Sequence, residues 1–462
     1  MKKVEYMAEA AKKKSFIEPG LFALTWPIFI ESFLHMLMGS TDTFMLSYVS
    51  DEAVAAVGVA NQLVFFTILI FGFVATGTTV LVSQNLGAGL IKDARRISGI
   101  SISLNLIFGI AISAFVVLFK GYFLNLFGLT PEIHRLAEQY LAIVGATLFS
   151  QALLVTASSI LRANGFSKEA MMISILMNII HLAGNSIFIY GLFGMPQLGI
   201  QGVAISTAIS RAIAVVMIFW LLCKRLPVKI RKEDYTDFSP VFIKKILKIG
   251  VPSAGENLVY NTSQIAMTAI IALIGAMALT TRVYTWNIMS FMMLFAIALG
   301  AGTQILVGYR VGAGDYDGAY HRLLKSLKWS LLMTVAVVIP MVLFRESLLD
   351  IFTDNHDIIT EGAKLLLLGI ILEPGRTFNI VIIAALRAAG DANFPVKMAF
   401  VSMWGIGVPV AYLLGITMEM GLVGIWIAFI ADEWFRGIVM YFRWKSRVWE
   451  SKSLVEKTAQ TV

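Results

Sequence analysis

The chain carries one sequence twice, at a spacing of 225 residues, over nearly its whole length. LVSQNLGAG around Gly87, followed by Arg95 and Arg96, returns as LVGYRVGAG around Gly312, followed by His321 and Arg322. SSILRANG around Arg162 returns as IAALRAAG around Arg387. Pro27 and Pro252 keep the same separation, and each is followed one helical turn later by a glutamate, Glu31 and Glu256. Such a duplication constrains the fold before any element is assigned, because two modules of one design must pack matching faces together. In membrane transporters repeats of this kind enclose a binding site, and one half rocks against the other around it.

The composition belongs in a bilayer. Apolar residues make up 58% of the chain and charged residues 14%, against about 25% charged in ordinary globular domains. Runs of about 20 residues with few charges recur, each long enough to cross roughly 30 Å of hydrocarbon as a helix. Twelve spans are predicted, near 21–48, 53–84, 97–119, 135–161, 169–192, 199–223, 246–272, 278–309, 323–344, 361–386, 394–416 and 421–443. The fold class is therefore an all-α integral membrane protein, with two pseudo-symmetric six-helix lobes around a central cavity.

A net charge of +8 fits topology better than nucleic-acid binding. Most Lys and Arg fall in the termini and even-numbered loops, including Lys92, Arg95, Arg96, the stretches 224–248 and 310–328, and Arg387 with Lys397. Lys120, Arg135, Arg282, Arg345 and Lys364 fall on the other side. The positive-inside rule then puts both termini in the cytoplasm of a multi-pass plasma-membrane protein. Residues 1–20 form a basic segment without a signal-peptide core, expected to lie on the inner leaflet. An N-terminal lobe follows at 21–223, then a polar linker at 224–245 with Pro227 and Pro240. A C-terminal lobe spans 246–443, and a tail at 444–462 is expected to be frayed beyond Trp449. The single cysteine, Cys223, excludes an internal disulfide and is expected at a helix end.

A charge inside a span costs at least about 2.5–3.5 kcal/mol on insertion scales, so each needs a partner, a cavity or a task. In the first span Glu31, His35 and Asp42 fall within about 40° on a helix and form one stripe. Three protonatable groups on one face suit a proton path or a small-cation site. The alternative is a Glu31–His35 pair that only stabilises the bundle. Asp42 has no counterpart, since its repeat position is Met267, whereas the Glu31 and Glu256 pair belongs to the module and serves packing, or substrate or cation binding.

In the C-terminal half Glu373 with Arg376, and Asp432 and Glu433 with Arg436, have spacings for pairing on one helix face. Paired carboxylates are poor proton carriers near neutral pH, so these five are read as structural charge pairs. Arg211, alone in the sixth span, is expected to reach one of these acids across the bundle. Asn178, His181 and Asn185 share a face of the fifth span and either complete a site with Asp42 or hydrogen-bond helix to helix. The 22 Met and 31 Phe suit an adaptable greasy cavity and equally suit lipid-facing helices. No H-E-x-x-H or G-x-S-x-G motif occurs, and nothing else resembles a nucleophile with its base, so neither an enzyme nor a cofactor is expected.

The segments WPIFIESFLHMLMGSTDTFMLS, LVSQNLGAG, LRANG, LRAAGDANFP and GLVGIWIAFIADEWFRG resemble the hallmarks of the multidrug and toxic compound extrusion (MATE) transporters, along essentially the whole chain and in both halves. The resemblance implies a monomeric two-lobed antiporter that exports organic cations and other amphipathic compounds in exchange for protons or sodium. Asp42 stands at the family's first-span aspartate, which is associated with cation coupling, and Glu256 resembles the seventh-span glutamate of the NorM-like branch. Two departures stand out. Asn185 precedes Ser186 where DinF-like members often carry an aspartate before Pro-Ile-Phe, with His181 where asparagine is common, and Arg376 replaces the tenth-span aspartate of some NorM-like members. Protons are favoured as the coupling ion, because His35 brings a group titrating near working pH between Glu31 and Asp42. Sodium held by Asp42, Asn178 and Asn185 is the alternative. A lipid-linked-precursor flippase of the same superfamily is a third reading, but it calls for a strongly cationic cavity.

Overall fold

The structure, a computed structural model, describes residues 20–455. The basic segment expected on the inner leaflet lies outside them, apart from Gly20. Among the described residues there is no strand. The membrane-crossing segments are Leu21–Ser47, Asp51–Gly87, Ile91–Asn125, the pair Pro131–Ala146 and Leu148–Ala163, Ser167–Tyr190, Gly199–Arg225, Pro240–Ile274, Ala276–Gly312, Tyr316–Leu343, His356–Ala388, Asn393–Thr417 and Gly421–Lys445. Ten of these helices are individually long and apolar enough to cross a bilayer. The last carries Asp432, Glu433 and Arg436 near its centre.

Several helices run past the hydrocarbon they were predicted to fill, because polar caps extend them into the loops. Ser50 accepts from the Ala53 N–H at the start of the second span, where Asp51 and Glu52 face the positive end of the helix dipole. The fourth span, predicted as one helix, is two, bent by 47° between Ala146 and Leu148. There the Phe149 N–H leaves the helical ladder and donates to Ser113 Oγ of the third span, 3.1 Å away. A side chain entering the ladder is a recognised cause of a kink. The eleventh span contains two wide π-helical turns, Met403–Gly407 and Leu413–Thr417.

Four apolar cores among the described residues set the relation between the lobes. Two are built from the N-terminal half, one around Leu46, Phe71 and Leu141 and one around Leu161, Ile173 and Ile218, and a third only from the C-terminal lobe, around Leu349, Leu366 and Trp426. The fourth draws on both, joining Leu24, Leu81 and Ile100 to Ile246, Leu306 and Leu386. The lobes therefore share a core at the end marked by Gly87 and Gly312. At that end the backbones touch: a methyl group on Gly87 would lie 2.0 Å from the Tyr309 carbonyl oxygen, and one on Gly312 would lie 1.8 Å from that of Gln84. Only glycine permits this approach.

Two side chains latch the contact, and they are repeat equivalents. Gln84 Nε2 donates to the Ala388 carbonyl and Tyr309 Oη to the Ala163 carbonyl, each at 2.6 Å. Gln84 and Tyr309 are 225 residues apart, as are Ala163 and Ala388, so each lobe's second helix grips the end of the other lobe's fourth.

The linker is docked rather than free. Asp234 pairs with Arg95 at 2.9 Å and Asp237 with Arg96 at 2.6 Å, and the stretch from Pro240 onward already belongs to the seventh span. The expectation of a frayed tail is corrected for the residues described. Trp449 is fully buried, stacks on Trp444 with ring centroids 4.0 Å apart, and meets Tyr316 edge-on. The Leu454 N–H donates to Gln84 Oε1 at 3.0 Å. Two tryptophans give this short segment enough apolar surface to seat at the lobe junction. Cys223 is exposed in the last turn of the sixth span.

Candidate functional site

In the N-terminal lobe the first, fifth and sixth spans converge on Asp42. It is buried, although a carboxylate in mid-span is among the costliest groups to place there. Asn185 Nδ2 donates to Asp42 Oδ1 at 2.7 Å, and His181 Nε2 stands 3.4 Å from the same oxygen. His181 Nε2 also lies 3.1 Å from Thr207 Oγ1, whose own hydroxyl donates to the Val203 carbonyl. That bond therefore needs the proton on His181 Nε2, which aims an N–H toward Asp42 as well. Ser206 Oγ donates to the His181 carbonyl at 2.8 Å and ties the sixth span to the fifth. Of the three polar residues expected on the fifth-span face, Asn185 and His181 meet Asp42. Asn178 does not, and donates instead to the Ser174 carbonyl of its own helix.

Arg211 belongs to the same neighbourhood. It is 6% exposed, its Nε and Nη1 have no hydrogen-bond partner among the described residues, and the groups whose charge acts on it are Tyr140 and Asp42. The expectation that it reaches across the bundle to a C-terminal acid is therefore corrected: it faces the interior of its own lobe. Tyr140, also buried, points its hydroxyl toward Asn61 Oδ1, 3.4 Å away.

The suggested Glu31–His35 pair is also corrected. Glu31 Oε2 accepts from Arg162 Nη1 at 2.8 Å. Glu256 Oε2 accepts from Arg387 Nη2 at 2.6 Å, across the same separation of 131 residues. Both glutamates and both arginines were visible as repeated motifs, and reading the two repeats together would have paired them. His35 remains on the Glu31 face but is exposed, with Glu31, Arg211 and Arg162 as the charges acting on it.

The C-terminal lobe buries a larger network. Arg376 Nη1 bonds Glu373 Oε1 at 2.7 Å, and its Nε stands 3.6 Å from Glu433 Oε1. Arg436 Nη2 reaches both Asp432 at 2.7 Å and Glu433 at 3.0 Å. Asn379 donates to Glu433 Oε2 at 2.8 Å, and Ser402 Oγ donates to Asp432 Oδ1 at 2.5 Å. All five residues expected as charge pairs are thus joined in one chain of contacts. The network borders a cavity of about 320 Å³ lined by Glu256, Tyr260, Gln304, Arg376, Arg387 and Glu433 among others.

The comparisons with known proteins agree with this layout. The family model described as MatE matches twice, over residues 27–187 and 252–413, in register with the repeat. The chain is 48% identical to a Bacillus subtilis protein named "Uncharacterized transporter YisQ", over 98% of this chain and 100% of that one. It is 30% identical to a "Probable multidrug resistance protein NorM" of Thermotoga maritima, over 96% of this chain and 95% of that one. Among solved structures, one described as MATE in the bent conformation superposes with a TM-score of 0.85 at 22% identity, covering 92% of this chain and 94% of that one. Another, described as the outward-facing conformation of a multidrug resistance MATE family transporter, also gives 0.85, at 21% identity, over 92% and 95%.

Proposed function

The chain belongs to the MatE family, and from that premise we propose that it is a proton-coupled antiporter that exports amphipathic and cationic small molecules by alternating access. The relatives named as multidrug resistance proteins support the substrate class. The reading rests chiefly on one observation. Glu31, Glu373, Asp432 and Glu433 are all buried in spans and all paired with an arginine, whereas among the described residues Asp42 makes no ion pair with arginine or lysine and is held by Asn185 and His181. It can take and release a proton without first breaking a salt bridge, and in its charged form it attracts a cation. Proton and cationic substrate then compete for one carboxylate, which is the linkage exchange requires.

The shared core and the Gln84 and Tyr309 latches lie at the end that carries the basic loops, which the positive-inside rule assigns to the cytoplasm. In this reading both termini are cytoplasmic, the protein works as a monomer in the plasma membrane, and the site opens to the outside, where a proton would displace cargo. Sodium held by Asp42, Asn178 and Asn185 is the alternative, and the Asn178 amide nitrogen, which donates to the Ser174 carbonyl, leaves its Oδ1 available to a cation. Exchange of one proton for one monovalent cation cancels the voltage contribution of about 2.3 kcal/mol per 100 mV and leaves only about 1.4 kcal/mol per pH unit. Strong accumulation of such a cargo would therefore need more than one proton. Dye efflux from energised membrane vesicles, with the pH and sodium gradients collapsed separately, tests the proposal. Export that stops with the pH gradient supports it, and export that follows sodium alone refutes it.

A further inference from the structure

Arg211 is the one charged group of the N-terminal site that coupling through Asp42 leaves without a task. A guanidinium has five N–H donors, and when buried it normally spends them on carboxylates or carbonyl oxygens. Elsewhere in this molecule it does so: Arg162 is bonded to Glu31, Arg387 to Glu256, Arg376 to Glu373, and Arg436 to Asp432 and Glu433. Arg211 is buried as deeply as Arg376 and Arg436, yet two of its nitrogens are shut away with no acceptor. Asp42 is near enough for its charge to act on Arg211, but its Oδ1 is taken by Asn185 and His181. The Thr207 hydroxyl, one turn before Arg211, gives its proton to Val203 and accepts from His181.

The repeat sharpens the contrast. At the spacing of 225 residues Arg211 corresponds to Arg436, whose Nη2 reaches both Asp432 and Glu433, so the same buried cation is satisfied in one lobe and left short of acceptors in the other.

We propose that Arg211 and Asp42 form a two-headed subsite for a zwitterionic amphipath, with a carboxylate or similar oxyanion on Arg211 and a cationic nitrogen on Asp42. The charge balance of the lobe favours this class over a simple cation. Its charges within the spans are the buried Glu31, Asp42 and Arg211 and the partly exposed Arg162, which cancel when both histidines are neutral. A zwitterion enters without changing that sum and supplies the acceptor that Arg211 lacks. A plain cation leaves one uncompensated positive charge beside a guanidinium that is still without a partner. This inference rests on the reading of Asp42 as part of the substrate site.

Rhodamine B, which carries a free carboxylate opposite its cationic ring system, and its ethyl ester, a plain cation, make a matched pair of probes. Their affinities for the purified full-length protein can be read by fluorescence anisotropy near neutral pH. Arg211→Gln should weaken the acid at least about tenfold while changing the ester less than about twofold. Arg211→Lys keeps the charge without the planar fork, and should reduce the acid-to-ester preference without removing it. A preference that stays constant while both dyes weaken together, in either variant, would mark Arg211 as merely structural and overturn the inference. So would an unchanged affinity for the acid. Asp42→Asn separates this from the reading beneath it. If that variant leaves both affinities untouched, the assignment of the substrate site itself fails, and if only the response to residue 211 is absent, the two-headed subsite fails alone.

Discussion

The two lobes are copies of one module that have diverged in what they do with buried charge. Both keep a glutamate one turn after a proline inside the helix, joined to the arginine of the fourth or tenth span across the same sequence distance. Both keep the latch that grips the opposite lobe. They part at the polar centre. The C-terminal lobe closes Glu373, Asp432 and Glu433 onto Arg376 and Arg436. The N-terminal lobe instead leaves Asp42 without an arginine partner and Arg211 without an acceptor. Contacts that hold helices together have survived duplication, while the groups able to meet a ligand or a proton have become asymmetric.

The sharpest way to break this comparison is Asp42→Asn. The amide keeps the shape and can still hydrogen-bond Asn185 and His181, but it cannot change charge. Coupled export should be abolished at normal abundance of folded protein, as read by dye efflux together with quantitation of the inserted protein. Normal efflux would return the two lobes to equal standing. The mirror experiment is Arg436→Ala, which removes the cation shared by Asp432 and Glu433 and should cost about 3–5 kcal/mol of stability, typical of a broken buried pair. Thermal unfolding and folded yield would register it. A stable but transport-dead Arg436→Ala protein would mean that the C-terminal network takes part in the cycle.

Arg162→Ala and Arg387→Ala should behave alike, because both pairs are partly exposed and occupy equivalent places. Each is expected to cost about 1–3 kcal/mol, between the surface and buried limits. A large inequality in their unfolding midpoints would show that one glutamate has left the structural role common to the module. The smallest effect belongs to the latches. Gln84→Leu and Tyr309→Phe each remove one cross-lobe hydrogen bond worth about 1 kcal/mol, and each should shift the balance between closed and open cytoplasmic ends by about fivefold. Distance distributions between spin labels on the two lobes would report the shift. Gln84→Leu should have the greater effect, since Gln84 also accepts from Leu454 of the docked tail.

The repeat, the twelve spans and their order were legible in the sequence because long apolar runs and duplicated motifs are local signals. The bend after Ala146 was not, since it depends on Ser113 of another span supplying the acceptor for Phe149. The tail was misread for a similar reason: a short polar stretch with one tryptophan looks solvated until Trp444 and Tyr316 are known to stand beside it. At the site, helical periodicity found Asp42, His181 and Asn185. It also drew Glu31 toward His35, because spacing along one helix says nothing about Arg162, which comes from the fourth span. Arg211 carried no local sign of its direction. Tyr140, Thr207, Gln84 and Tyr309 were missed altogether, since none is unusual in a span until its neighbours are known.

The claim that the N-terminal lobe carries the exchange through Asp42 is tested most directly by substrate affinity as a function of pH. Binding of a plain cationic dye to purified protein would be measured between about pH 5.5 and 8, a range around the unperturbed histidine value of about 6.5. The series would be run without sodium and repeated with sodium at constant ionic strength. The account predicts an affinity that falls as pH drops, is indifferent to sodium, and becomes flat with pH in Asp42→Asn. An affinity that ignores pH and is weakened by sodium alone, or a pH dependence that survives in Asp42→Asn, would contradict it.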